Sequence, residues 1–392
     1  MIQYFGMDVH TNYTAIAISL KDNVNDTYEV VDTISVNSAA ADDIIKAIAP
    51  YMNPRPAIAN PIQQTVMGYE AGCLGFSLQR DLTANGYNCV ILAPSTMAVS
   101  PLGRSVFKND KRDAKAIAKC LADHNYAKVF VPDIGDNAVG EYIRMRDDAQ
   151  DFVVVIKQQI CSFCHRHGFH YSAGAHWTAK HYKWLKSLTF EHEVLRENLN
   201  ERLLLLEKLE EKVALYDQRI QEYSESKQYQ EKVKKLGCFI GMGTNTALAF
   251  VTEIGDFSRF KSGAEFSSFI GLVPGEHSSN GNGPGMGITK AGNGHLRKML
   301  ILASQSMCRG SVGVKSRELK RRQKGMSEEV IDYADRGNER LRRRYYRLIQ
   351  KGKCRNVAVT AVARELACFI WGMMNDHIDS KPASVRKKVK MA

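Results

Sequence analysis

No apolar run in this chain approaches the ~20 residues of a membrane-spanning helix, which argues against a membrane partner. The start, Met1 to Gly6, goes straight into strand-like sequence and lacks the charged and apolar regions of a signal peptide. A cytoplasmic, nucleoid-associated protein is expected. The nine cysteines are an odd number and follow no regular frame, which excludes a disulfide scaffold and reads as reduced thiols. Acidic charge is also short. Against 54 Lys and Arg stand 42 Asp and Glu, a net +12, and that balance favours a polyanionic partner such as nucleic acid. The remainder is ordinary: 44% hydrophobic and 24% charged residues over 392 positions suit a soluble chain with two or three cores.

Alternation predicts strands near 4–8, 13–20 and 27–36, joined by short polar turns, then a helix from about Ala39 to Tyr51. A strand near 65–70, a helix ending at Asn85-Gly86, a strand at 88–92 and a helix opening at Asp110 complete the first part. Three antiparallel strands, helix, strand, helix, strand, helix is the order of an α/β RNase H-like domain. In that order Asp8 ends the central strand, Glu70 ends the fourth, and Asp110 and Asp113 share one face of the last helix. Four carboxylates from three elements would meet at one sheet edge, where strand ends commonly host sites. Such a set suits hard divalent cations, Mg²⁺ or Mn²⁺, and phosphate chemistry. Lys108, Lys111 and Arg112 surround the pair on the helix, as a phosphate backbone approaching it requires. Taken alone, Asp110-x-x-Asp113 is more often a solvated helix start favoured by the dipole.

Beyond residue 135 long helix dominates. Ala138 to Phe169 contains no proline, and its Cys161 and Cys164 sit at core spacing without the second pair of a zinc finger. Phe190 to Lys235 reads as one helix with a heptad seam from Leu195 through Leu199, Leu206, Val213 and Ile220, interrupted by Arg202. An antiparallel hairpin or an intermolecular coiled coil fits, with dimerisation preferred. Gly241-x-Gly243 precedes a helix and offers backbone N–H groups to phosphate, although an inter-helix turn explains it as well. A glycine-rich loop at 275–287 carries Ser278 and Ser279, and Lys290 and Arg297 stand where the next helix begins. Arg340, Arg342, Arg343, Arg344 and Arg347, interleaved with Tyr345 and Tyr346, suit phosphate contact and base stacking, or a solvated helix face. The expected organisation is 1–135 for the α/β domain and 136–235 for a coiled-coil region. Residues 236–378 would form a mainly helical domain, and 379–392 a basic tail.

The motifs GMDVH around Asp8, GYEAG around Glu70, KNDKRDA at Asp110 and Asp113, GLVPGEHSSN at 271–280, ITKAGNGHLR at 288–297 and AVARELA at 361–367 occur in this order over nearly the whole chain. Together they resemble the DEDD-type insertion-sequence transposases, the family that includes the Piv DNA invertase and recombinases guided by a bridge RNA. The resemblance implies a RuvC-like domain, a coiled-coil linker and a C-terminal domain with a catalytic serine. It implies Asp8, Glu70, Asp110 and Asp113 as Mg²⁺ or Mn²⁺ ligands and Ser279 as nucleophile, with Ser278 as the alternative. The partners it implies are donor and target DNA, a guide RNA and further copies of the chain as a homodimer or tetramer. Two other readings compete: a hydrolytic RuvC-like junction resolvase, and a non-catalytic nucleic-acid-binding protein.

Overall fold

The computed structural model describes residues 1–52, 64–97, 109–275 and 287–378. The chain divides into two compact units, Met1–Val131 and Pro132–Ala392.

The first unit is built on a five-stranded mixed sheet. Its strands are β1 (Ile2–His10), β2 (Tyr13–Asp22), β3 (Thr27–Val36), β4 (Gln64–Glu70) and β5 (Cys89–Leu92), in the order β3-β2-β1-β4-β5. β1 pairs antiparallel with β2 and parallel with β4, so it lies at the centre with both edges covered. Alternation along β1 sorts its side chains between two faces. Phe5 and Met7 pack with Ile44 and Ile48 of α1 (Ala41–Met52) and with Leu78 and Leu82 of α2 (Ser77–Ala84). Tyr4 packs on the opposite face with Ile117 and Leu121 of α3 (Asp110–Ala122).

α3 lies unusually close to the sheet because the residues between them are small. Ala114 and Ala118 of α3 meet Ala15 and Ala17 of β2, all fully buried. Gly6 of β1 completes the contact: a Cβ there would stand 2.2 Å from Ala118 N and 2.4 Å from Ala114 O, both backbone atoms. A glycine is therefore required by proximity, with no unusual dihedral involved. The predicted helix after residue 71 starts later, at Ser77.

The second unit is helical. α4 (Ile134–Arg166) and α6 (Glu193–Ser224) form an antiparallel hairpin closed at its far end by α5 (Ala179–Ser187). The seven-residue repeat of Leu199, Leu206, Val213 and Ile220 is buried, and the first three pack with Val153, Ile160 and Phe163 of α4. The seam is thus covered within the chain. Arg202, which interrupts it, turns outward to Asn198 and Gln159. The single helix expected from 190 to 235 is two: α6 ends at Ser224 and α7 (Gln230–Gly237) follows. Tyr229 Oη and Gln228 Nε2 both donate to Asp136 Oδ1 near the start of α4, at 2.7 and 2.9 Å, and fix the break.

The remaining helices are α8 (Thr244–Ile254), α9 (Gly263–Phe269), α10 (Gly294–Met307), α11 (Arg317–Gln323), α12 (Glu328–Gln350) and α13 (Arg355–Met374). They share a core containing Phe239, Phe250, Phe266, Leu300 and Leu366. Contrary to the expectation from the sequence, α13 is long and apolar enough to cross a membrane. Val359, Val362, Leu366, Ile370 and Met373 are buried in this core, which accounts for its composition.

Candidate metal centre

Asp8 follows Tyr4 and Gly6 on the α3 face of β1. The close approach at Gly6 sets Ala114 over the strand, and one turn back along α3 brings Asp110 towards Asp8. Asn109 caps the helix by accepting from Lys111 N at 3.0 Å, which holds the first turn in place beneath the acids. His10, two residues beyond Asp8 and on the same face, completes the group. Its Nε2 lies 3.3 Å from Asp8 Oδ2 and 3.8 Å from Asp110 Oδ1. One ligand atom from each of Asp8, His10 and Asp110 falls within 4.8 Å of the others, a geometry that can hold a metal ion.

Electrostatics single out Asp8. Burial pushes its carboxyl above the usual range; His10 pulls it down, and Asp113 and Asp110 push it up again. Its Oδ2 is shielded from solvent, and among the described residues His10 Nε2, 3.3 Å away, approaches it without full hydrogen-bond geometry. A buried carboxylate oxygen in that condition is costly unless a cation takes it. The donor set, two carboxylates and an imidazole with further acids nearby, fits a divalent ion.

Of the four acids expected from the sequence, Asp8 and Asp110 enter this group. Asp113 stands one turn further along α3, near enough to raise the Asp8 carboxyl. Glu70 is exposed at the end of β4, one step past the paired residues Met7 and Tyr69, and so level with Asp8 on the neighbouring strand. It faces α3 too, because Val66 and Gly68 before it pack there. His10 was passed over as a site residue, though the Asp8-x-His10 spacing on a strand already puts both side chains on one face. Lys111 and Arg112 are exposed on the first turn of α3; Lys108 lies outside the described residues.

In the second unit the expected nucleic-acid contacts divide. Gly241 has φ +81°, and a Cβ there would stand 2.2 Å from Ala303 O, so it serves a packed turn against α10. Gly243 N donates back to Gly241 O at 3.1 Å, and Thr244 Oγ1 donates to Gln221 Oε1 at 2.9 Å. Arg342 does not face nucleic acid as expected. It is buried, and its guanidinium donates to the carbonyls of Met307, Ser311, Val314 and Arg309, leaving it a structural clamp on the 307–314 loop. Arg297 donates to the Ile270 and Ala291 carbonyls. Arg343 is exposed and pairs with Glu339, while Arg344 is partly buried and pairs with Glu365. Lys290 is exposed, with φ +57°. Ser278 and Ser279 lie outside the described residues.

A second polar cluster went unread in the sequence. His295 Nδ1 stands 2.5 Å from Glu253 Oε1 and Nε2 stands 3.0 Å from Asp147 Oδ2, joining α10, α8 and α4. Arg144 pairs with Glu253 at 2.9 Å, Arg146 with Asp147 at 3.0 Å, and Asn245 and Asn293 donate to the same two acids. Burial pulls the imidazole pKa down, but its bonds to Asp147 and Glu253 outweigh that and raise it to about 9. The Asp147 carboxyl would rise on burial, yet the bonds from His295 and Arg146 hold it below its ordinary value.

Comparison with known proteins agrees with these observations. Residues 234–318 match a family described as Transposase IS116/IS110/IS902 family. A relative from Sinorhizobium fredii, described as putative transposase y4qE, is 32% identical over 79% of this chain and 75% of its own length. The transposase for insertion sequence element IS1533 of Leptospira borgpetersenii is 31% identical over 66% of this chain and 72% of its own length. The transposase for insertion sequence element IS1111A of Coxiella burnetii is 26% identical over 52% of this chain and 55% of its own. With a basic chain, a carboxylate centre fit for a divalent ion and relatives matched over most of their length, this chain belongs to the IS116/IS110/IS902 family of insertion-sequence transposases, enzymes that act on DNA.

Proposed function

We propose that this transposase exchanges DNA strands through a phosphoseryl intermediate, with Ser279 as nucleophile and a bridge RNA selecting the donor and target sites. The observation that carries the carboxylate half of this reading is the solvent-shielded Oδ2 of Asp8, gathered with His10 and Asp110 so that one ligand atom of each lies within 4.8 Å of the others. The strand order β3-β2-β1-β4-β5, with acids at the ends of β1 and β4 and on α3, supports a RuvC-like assignment of the first unit.

Asp8 and Asp110, with His10 and flanked by Glu70 and Asp113, would hold Mg²⁺ or Mn²⁺. When bound, such an ion neutralises phosphoryl oxygens and makes a hydroxyl easier to ionise. Lys111 and Arg112, exposed on the same helix turn, draw the DNA backbone towards this carboxylate-rich edge. His10 stands between the two carboxylates, 3.3 and 3.8 Å from them, where it would join them as a ligand. The serine oxygen gives up its proton as it bonds to phosphorus, one deoxyribose oxygen leaves, and that oxygen takes up a proton, so protons balance overall. The phosphoester bond is conserved on the protein, so a second DNA hydroxyl can reverse the step without external energy. A hydrolytic resolvase would lose that bond to water.

Incubating the full chain with Mg²⁺, cognate DNA and guide RNA, then denaturing, is expected to leave DNA covalently attached to protein. Ser279→Ala should abolish the adduct, and Asp8→Asn or Asp110→Asn should reduce it by about 10²-fold or more. Cleavage with no adduct would establish the resolvase reading, and an adduct in Ser279→Ala would move the nucleophile to Ser278.

A further inference from the structure

The far end of the α4–α6 hairpin carries a surface that the carboxylate chemistry does not use. No residue between Asp151 and Glu191 is acidic, whereas Lys157, Arg166, Lys180, Lys183, Lys186 and five histidines fall in that stretch. On α5 the lysines recur every third residue, opposite the buried His181 and Leu185. At ~100° per residue they cover an outward stripe roughly 120° wide. Among the described residues, none of Arg166, Lys180, Lys183 and Lys186 lies within ion-pair distance of a carboxylate, unlike Lys157, which reaches Glu210 at 2.6 Å.

The stripe rests on a rigid aromatic base. Tyr171 packs against His181 and Trp184 with ring centroids 4.7 and 5.1 Å away, and His181 stacks on Trp184. Arg196 of α6 fastens the end of α5 by donating to Leu188 O at 2.8 Å and Lys186 O at 2.7 Å. Over this base stand exposed rings: His165 and His170, 5.0 Å apart, and His176 beside Tyr171. Basic residues near a helix C-terminus answer its dipole, and that accounts for His165 and Arg166 at the end of α4. It does not account for Lys180, which occupies the first turn of α5, where the dipole opposes a cation.

We propose that the hairpin tip is a second DNA-contact surface, made for an unpaired strand. The lysine stripe takes phosphates and the exposed imidazole rings take bases, which present their faces only when unstacked from a duplex. DNA is the partner because the chain is a transposase; the proposal does not depend on the serine chemistry, and binding alone tests it.

The experiment is fluorescence anisotropy of the full-length protein with a labelled single-stranded DNA 20-mer, its duplex and the equivalent RNA. Lys180→Ala/Lys183→Ala/Lys186→Ala should weaken single-strand binding about tenfold or more. It should also flatten the slope of log K against log salt by about 2, as three lost phosphate contacts on a single strand require. His176→Ala should weaken it about fivefold. Lys208→Ala/Lys212→Ala, exposed positions on α6, removes two positive charges elsewhere on the hairpin and should change little. Circular dichroism confirms that each variant folds. Equal losses in the α5 and α6 variants, unchanged single-strand binding, or a loss confined to duplex or RNA would overturn the proposal.

Discussion

Raising the pH from 6 to 9.5 removes the proton with which His295 donates to both Glu253 and Asp147, and the helical unit should lose stability in step. The imidazole is 11% exposed between those carboxylates, and its pKa stands at about 9 against an ordinary 6.5. Below pH 6.5 folded and unfolded chains both carry the proton, and the whole contribution is present. Above it the unfolded chain releases the proton first, so the contribution falls until the folded pKa is passed. The interval between 6.5 and about 9, at ~1.36 kcal/mol per unit, sets a total on the order of 3 kcal/mol, of which more than half is gone by pH 8. Burial works against the charge on Arg146, but its bonds to Asp217 and Asp147 outweigh that and raise its pKa, so it stays charged across this window. Urea unfolding of the wild type and His295→Gln at pH 6, 8 and 9.5 measures it. The stability gap between the two proteins should narrow by roughly 2–3 kcal/mol, because other groups titrate alike in both. A gap that holds constant would refute the doubly bonded imidazolium.

Gly6→Ala should destabilise the first unit by about 1–3 kcal/mol, since its Cβ meets the α3 backbone and cannot be relieved by a side-chain rotation. Because α3 carries Asp110, the same variant should weaken Mn²⁺ binding, read by isothermal titration; unchanged affinity would separate the packing from the metal centre. Leu204 and Leu205, 43% and 46% exposed on the hairpin, are available to a second copy of the chain. If the hairpin joins protomers, Leu204→Gln/Leu205→Gln should shift sedimentation towards monomer, and an unchanged boundary would place the interface elsewhere.

The strands and α3 could be read because their patterns are local. Alternation names the faces of β1, and Asp110-x-x-Asp113 marks a helix start, whose cap at Asn109 the structure adds. Small residues at 6, 15, 17, 114 and 118 are equally local, but their meaning is a close contact among three elements, which no spacing displays. Arg342 misled for the same reason: a run of arginines looks uniformly solvated, while the fold turns one of them inward onto four carbonyls. His295 lay inside a motif that was read as a helix start. Its partners are 148 and 42 residues away, beyond the reach of any periodicity. The α6–α7 break depends likewise on Asp136, more than ninety positions upstream.

The antiparallel pairing of α4 and α6 makes the hairpin a spacer with a quantised length. Thirty-three residues of α4 extend about 50 Å at 1.5 Å each, which is roughly the length of fifteen base pairs at ~3.4 Å per pair. Because the buried seam repeats every seven residues, one heptad added to or removed from both helices preserves every facing contact and moves the tip by ~10.5 Å. That is about three base pairs, so related elements could reset the distance between the tip and the helical bundle in three-base-pair steps, leaving both cores untouched.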